Sequence, residues 1–193
     1  AGFYKAALFV PTIIAFSIAG ATWLWLYNPI NGFLNAVLEW FGLNGVRWLE
    51  DPALALGSVS AVVFWKTFGL NMLLCLAALT AIPREVIEAA RMDGAKSLRL
   101  LVTIEVPLIT PTLFFVTVTT VLGVMDDIVG AVDVMTGGGP IDATTNLLFY
   151  LYEKGLRFFQ FGHASAVAVI VAVIVGVITW VQFRFLERRV HYE

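Results

Sequence analysis

Ala6 to Tyr27 is a run of 22 residues without a charge, and three comparable stretches follow it. A bilayer core ~30 Å thick is crossed by about 20 apolar residues of helix. Leu54 to Leu79 is interrupted only by Lys66, Leu108 to Met125 carries no charge, and Ala164 to Phe183 carries none either. In hydrocarbon an unpaired N–H or C=O finds no water, so such runs must be helical. Taken to whole turns, they predict spans at about 6–27, 54–79, 108–129 and 164–185, in one all-α, polytopic membrane domain over residues 1–193. Pro11 is expected to kink the first span, while Pro107 and Pro111 lie near a helix start, where proline is tolerated.

Composition agrees. The chain is 60% apolar and 13% charged, with a mean hydropathy of +0.87. A soluble domain holds about 45–50% apolar and about 25% charged residues, and a chain of this length has no core large enough to hide the excess. A net charge of −2 without a basic run gives no reason to expect a nucleic-acid partner. Cys75 is the only cysteine and sits in an apolar run, where it reads as a small buried hydrophobe. The chain opens at Ala1 without Met or a cleavable leader, and a preceding segment is expected to be missing.

Cations set the direction. Lys5, Arg84, Arg91, Lys96, Arg99, Arg184, Arg188 and Arg189 fall on one side of the spans; Arg47, Lys154 and Arg157 fall on the other. The richer side is expected to be cytoplasmic, which puts both ends of this chain inside. On the other side, Phe33, Val37, Leu38 and Phe41 share one face of a short helix suited to lying on the membrane or on a partner. Further on, Thr136 to Pro140 reads TGGGP, a turn-rich break before an aromatic stretch.

The connection between the second and third spans carries the functional signal. Pro83 fits a first helical turn, with Glu85 and Glu88 near its positive end. Ala89 and Ala90 form a small-residue stripe that permits close approach, and Gly94 lets the backbone leave the helix. Leu98, Leu101 and Val102 give a second apolar face, opposite Lys96 and Arg99. A solvated interfacial helix would also show this pattern.

The spacing goes further than amphipathicity. Glu88-Ala89-Ala90, three residues, Gly94, nine residues, Ile104, Glu105 and Val106-Pro107 resemble the EAA loop of binding-protein-dependent ABC permeases, with Val106 where the pattern has Leu. FWKTFGLNMLLCLAALTAIP, the TGGGP segment and the tail FRFLERRVHYE resemble the carbohydrate permeases, of the maltose/glycerol-phosphate type and its "first" subunit. The resemblance implies ATP-driven import of a sugar or polyol across a bacterial or archaeal cytoplasmic (inner) membrane. It also implies a second permease, two ATP-binding subunits and an extracytoplasmic solute-binding protein. Within residues 83–107, Glu88, Ala89, Ala90, Asp93 and Gly94 would then make the coupling contact, with ATP and Mg held by the ATPase and no cofactor by this chain. An ion-driven secondary transporter and a non-transporting scaffold are the competing classes. The first predicts repeated halves with broken helices; the second leaves the loop without a use.

Other chemistry is missing from the sequence. No G-x4-G-K-[ST] is present, and TGGGP lacks the Lys-Ser/Thr that a phosphate cradle requires. His163 and His191 lack neighbouring ligands, so no metal site is expected, and no nucleophile–base pair is evident. Lys66, Asp126 and Asp127 remain as charges in or beside the spans. Counted from Pro83 and Pro107, Lys66 and Asp126 lie at heights of roughly 26 and 28 Å. An ion pair of Lys66 with Asp126 or Asp127 is therefore expected, with snorkelling of the lysine or a contact to a partner chain as alternatives. Trp65, Phe68 and Asn71 could line a sugar path, and packing alone would explain them equally well.

Overall fold

A computed structural model of the chain describes residues 2–186, and the tail cations Arg188 and Arg189, with His191, lie outside the described residues. Every regular element among the described residues is helical. Three helices are long and apolar enough to cross a bilayer: α4 (Pro52–Ala81), α8 (Thr110–Met135) and α10 (Phe161–Leu186). Barely a fifth of the apolar window of α4 is buried, 22%, and none of that of α8. Side chains so apolar and so little covered fit a lipid or protein surround and not water.

The first expected span is not one rod. It consists of α1 (Gly2–Ile13) and α2 (Phe16–Leu26), bent by 108° at Ile14 and Ala15. Pro11 stays inside α1, so the break lies beyond the residue expected to cause it. Proline removes one helical hydrogen bond, and packing determines where the chain turns. The Ala15 carbonyl restarts the helix by accepting from Ile18 and Ala19, and the two halves pack on different partners, α1 on α4 and α2 on α8. Gly69 permits the α1–α4 crossing: a Cβ there would lie 1.9 Å from the Leu8 carbonyl oxygen. Small residues allow such backbone approach between membrane helices. Thr12 then donates its hydroxyl to the Lys66 carbonyl at 3.0 Å.

The third span also differs from expectation. Its helix continues six residues past 129, through Ala131 and Val132 to Met135, so Asp126 and Asp127 lie within α8 and not at its end.

The main core sits at the glycine-rich end of the bundle. Tyr27, Val59, Val62, Val63, Ala131, Val132, Met135 and Phe149 are buried there, with Trp23 and Trp48 packed against them. The lateral helix α3 (Phe33–Trp40) forms as expected, with Phe33 and Phe41 exposed. Its buried residue is Asn35, which donates to the Pro29 and Val46 carbonyls at 3.0 and 2.9 Å and accepts from Val46 N and Trp48 Nε1. Every amide valence is spent inside the segment between α2 and α4, which it closes on itself.

Candidate coupling loop and membrane cavity

The chain leaves α4 at Ile82 and enters α5 (Arg84–Met92) immediately after Pro83. Glu85 lies in the first turn and Arg91 in the last, each favourable to the helix dipole. Gly94, at φ +80°, closes the helix. Its N–H donates to the Arg91 carbonyl at 3.0 Å, and Ala95 N–H donates to the Ala90 carbonyl at 3.0 Å. These are the two bonds of a Schellman closure, which needs a left-handed residue at this position. α6 (Ser97–Leu100) follows, then a π-helical turn over Leu101–Glu105 and the short α7 (Val106–Leu108) before α8.

The closure sorts the expected coupling residues. Glu88, Ala89, Asp93 and Gly94 are exposed, whereas Ala90 is buried at 8%. The two alanines therefore do not form one open stripe, because the closing bond draws Ala95 back over the Ala90 carbonyl. The second apolar face also differs. Leu98, Leu101 and Val102 are exposed, and Leu100 is the buried residue of α6. The π turn is wider than an α turn and breaks the 3.6-residue period on which that face was drawn. Met92 at 88%, Leu98 at 75% and Val102 at 61% exposure leave an apolar surface beside the acidic Glu88 and Asp93.

A second site lies between the helices. Thr12, Lys66, Thr67, Asn71, Thr119, Thr120 and Asp127 surround a cavity of about 150 Å³, together with Leu70, Gly123 and Val124. Lys66 and Asp127 thus reach the same cavity, whereas Asp126, whose height was matched to that of Lys66, does not, and the expected ion pair forms with neither. Among the described residues the ion pairs are Arg47–Glu50 and Arg157–Asp133. The Lys66 ammonium instead lies 4.9 Å from the centre of the Phe16 ring. The α1–α2 break brings that ring alongside, and an aromatic face attracts a cation. Asp126 is exposed and outside the cavity lining.

The expected sugar-path residues separate. Asn71 lines the cavity and donates to Thr120 Oγ1 at 2.8 Å. Trp65 packs edge-on against Trp23 at 5.5 Å, and Phe68 lies against Phe64 at 5.5 Å; neither lines the cavity. Trp65 packs between α4 and α2, whereas Phe68 only stacks along α4 on a residue one turn before it and stays exposed.

At the opposite end, the TGGGP segment is a closed turn. Buried Thr144 donates to the Gly139 carbonyl at 2.8 Å and shares a 2.7 Å hydroxyl contact with Thr136, while Thr145 donates to Gly138. The Thr144 and Thr145 hydroxyls are spent within the turn itself. Beyond it, Asp133 pairs with Arg157, whose guanidinium also lies over the Tyr152 ring. Sequence reasoning missed this pair and Asn35. The one readable signal was a lone Asn among the apolar residues of FLNAVLEWF, off the face drawn through Phe33, Val37, Leu38 and Phe41. The pairing partners stand 24 residues apart across an irregular loop, where no period applies.

Comparison with known proteins places this geometry. The chain is 40% identical to the sn-glycerol-3-phosphate transport system permease protein UgpA of Agrobacterium fabrum, over 99% of this chain and 65% of that protein. Against the UgpA of Escherichia coli strain UTI89 the identity is 34%, over 99% and 64%. The chain thus spans about two thirds of the length of these curated relatives. Its fold matches a chain of a bacterial ABC transporter that imports the acidic polysaccharide alginate, with a TM-score of 0.84 and 23% identity over 97% of this chain and 65% of that one. Residues 2–192 match the family model of the binding-protein-dependent transport system inner membrane component, and the chain belongs to that family.

Proposed function

We propose that this chain is a permease subunit of an ATP-driven importer of a sugar or polyol, and that α5 and α6 transmit the motion of an ATP-binding subunit. The observation that carries this reading is the Schellman-closed α5 with its exposed Met92, Leu98 and Val102. A rigid short helix beside an uncovered apolar patch is the shape a soluble partner can grip. Glu88, Ala89, Asp93 and Gly94 border that contact, while Ala90 supports it from within.

The remaining assembly follows from the same reading. A second permease and two ATP-binding subunits, which bring ATP and Mg, join this chain, and a solute-binding protein delivers from the opposite side. Support for the last comes from the alginate transporter, solved with a periplasmic protein carrying an alginate pentasaccharide. The loop faces the cytoplasm, as do both ends of this chain. Copurification with the cognate ATP-binding subunit tests the assignment: the unaltered chain retains that subunit, and a chain that never captures it ends the reading. Orientation is tested by thiol labelling from outside in a Cys75→Ser background. Ile141→Cys, at an exposed position of the loop that follows TGGGP, is expected to react and Ser97→Cys to be spared; the reverse pattern overturns the topology.

A further inference from the structure

We infer that the groove between α8, α10 and the short α9 (Leu147–Tyr152) is a phospholipid site, with one acyl chain between the helices and the phosphate at Lys154. The inference goes beyond the coupling reading and depends only on α8 and α10 crossing the bilayer.

The shape follows from where the two spans touch. Near one end they meet through Phe114 and Phe183, edge-on at 4.9 Å, and near the other α9 packs against both. Between these contacts lies a groove of about 640 Å³. Val124, Ile128, Leu148, Val171 and Val175 line it, all of them aliphatic and half-buried. Val124 stands midway along the 26 residues of α8, and Val175 midway along the 26 of α10. The groove therefore runs from mid-membrane towards the TGGGP side, a depth of one leaflet, or about 15 Å.

Depth and lining select the occupant. A hydroxylated solute would find few hydrogen-bond partners on an aliphatic wall. A transmembrane helix needs a seam through both leaflets, and this groove stops halfway. Its volume also holds only about one and a half turns of a rod 10 Å across. An acyl chain is thin, apolar and one leaflet long. Charge then places the head. Tyr150 is on the groove wall, and Lys154 lies one turn further on, in the π-helical turn Glu153–Arg157. The Lys154 ammonium is 5.2 Å from the centre of the Tyr150 ring and 4.9 Å from that of Phe158. Neither ion pair among the described residues includes it, whereas neighbouring Arg157 is already bound to Asp133. An ammonium lodged on aromatic rings at the membrane boundary is placed to meet a phosphate. With Glu153 beside it the local charges cancel, so a zwitterionic headgroup fits as well as an anionic one.

The test uses phosphatidylglycerol carrying a diazirine in one acyl chain. The assembled complex is placed in nanodiscs of phosphatidylethanolamine and phosphatidylglycerol that contain the labelled lipid, irradiated, and its adducts are located by peptide mass spectrometry. Adducts at Val124, Ile128, Val171 and Val175 are expected to saturate at a low share of labelled lipid. Those at the exposed Val169 and Val177 are expected to rise in proportion to it. Lys154→Gln is expected to weaken groove labelling about fivefold, the size of one lysine–phosphate attraction at a membrane surface, and to leave labelling by a diazirine diacylglycerol unchanged. Val171→Trp, which fills the groove, is expected to abolish both. The inference is overturned if groove and outer-face adducts rise together, or if Lys154→Gln lowers labelling by both lipids alike. It is also overturned if the complex gives no groove adducts, since another subunit then covers the groove. Retention of the ATP-binding subunit by the same preparation reads the permease assignment separately.

Discussion

The two ends of the bundle solve opposite problems. At the glycine-rich end the chain satisfies itself: Asn35 uses its whole amide on four partners, Thr144 closes the TGGGP turn, and the aromatic core covers Val59, Val62 and Val132. At the other end α5 and α6 bury little beyond Ala90 and Leu100 and leave Met92, Leu98 and Val102 uncovered. A membrane span can dissolve its apolar side chains in lipid, but an aqueous loop cannot. Uncovered apolar residues there fit the ATP-binding partner proposed above. The comparison teaches that buried polar groups are satisfied within the chain at one end, while at the other the rigid α5 and α6 leave apolar side chains uncovered.

The largest effect is expected where the two ends are joined. Gly69→Leu puts a branched side chain where even a Cβ would meet the Leu8 carbonyl oxygen, and backbone cannot yield as a side-chain tip can. α1 must then lift off α4, and the cavity beside Thr12 and Lys66 opens. A loss of at least about 3 kcal/mol is expected, on the scale of severe core disruption. Thermal unfolding of the detergent-solubilised chain checks it; a transition unchanged by Gly69→Leu would show that the α1–α4 crossing is not close.

Asn35→Leu breaks the self-satisfied end alone. It keeps the volume nearly constant and strands the Pro29 and Val46 carbonyls, Val46 N–H and Trp48 Nε1. Each buried group left unpaired costs about 1–3 kcal/mol, less where water reaches it. A total of about 3 kcal/mol is expected, with faster backbone hydrogen exchange confined to residues 29–50 and the loop unaffected. Exchange that rises equally at α5 would mean the two ends are one cooperative unit.

Gly94→Val strikes the loop end. Nothing stands within 4 Å of a Cβ at Gly94, so the cost comes from its φ of +80° and not from a clash. A left-handed conformation costs an L-residue about 1–2 kcal/mol, and more for a β-branched one. Frayed α5 closure is expected, with loss of ATP-driven uptake by the assembled complex while membrane insertion persists. Uptake at the unaltered rate would remove Gly94 from the coupling contact.

The sequence made some of this architecture legible and hid the rest for physical reasons. Hydropathy finds spans because lipid acts on every residue of a helix alike, and the EAA spacing located Gly94 because a Schellman closure requires a residue of its kind. Equal height matched Lys66 with Asp126, yet height says nothing of azimuth: Asp127 and not Asp126 lines the cavity with the lysine, and the Phe16 ring arrived from a bend that no period announces. Ala90 shows the same limit. A stripe drawn on an isolated helix cannot reveal that the chain folds back over half of it.

The smallest expected effect on the chain itself comes from Met92→Ser combined with Leu98→Ser, and it probes the comparison most sharply. Neither side chain is covered by this chain, so the fold loses almost no buried apolar area. Surface changes of this kind stay within about 0.5 kcal/mol of stability. If the exposed patch is completed by an ATP-binding subunit, the same two changes remove apolar anchors from that interface, where a side chain at the centre can contribute about 2 kcal/mol or more. The expected result is therefore a split: unfolding of the isolated chain unchanged, and retention of the ATP-binding subunit reduced about tenfold or more. Equal loss of both would mean that Met92 and Leu98 support the loop from within. Loss of neither would mean that lipid headgroups cover the patch, and the coupling contact would then belong to the polar side of α5, around Glu88 and Asp93.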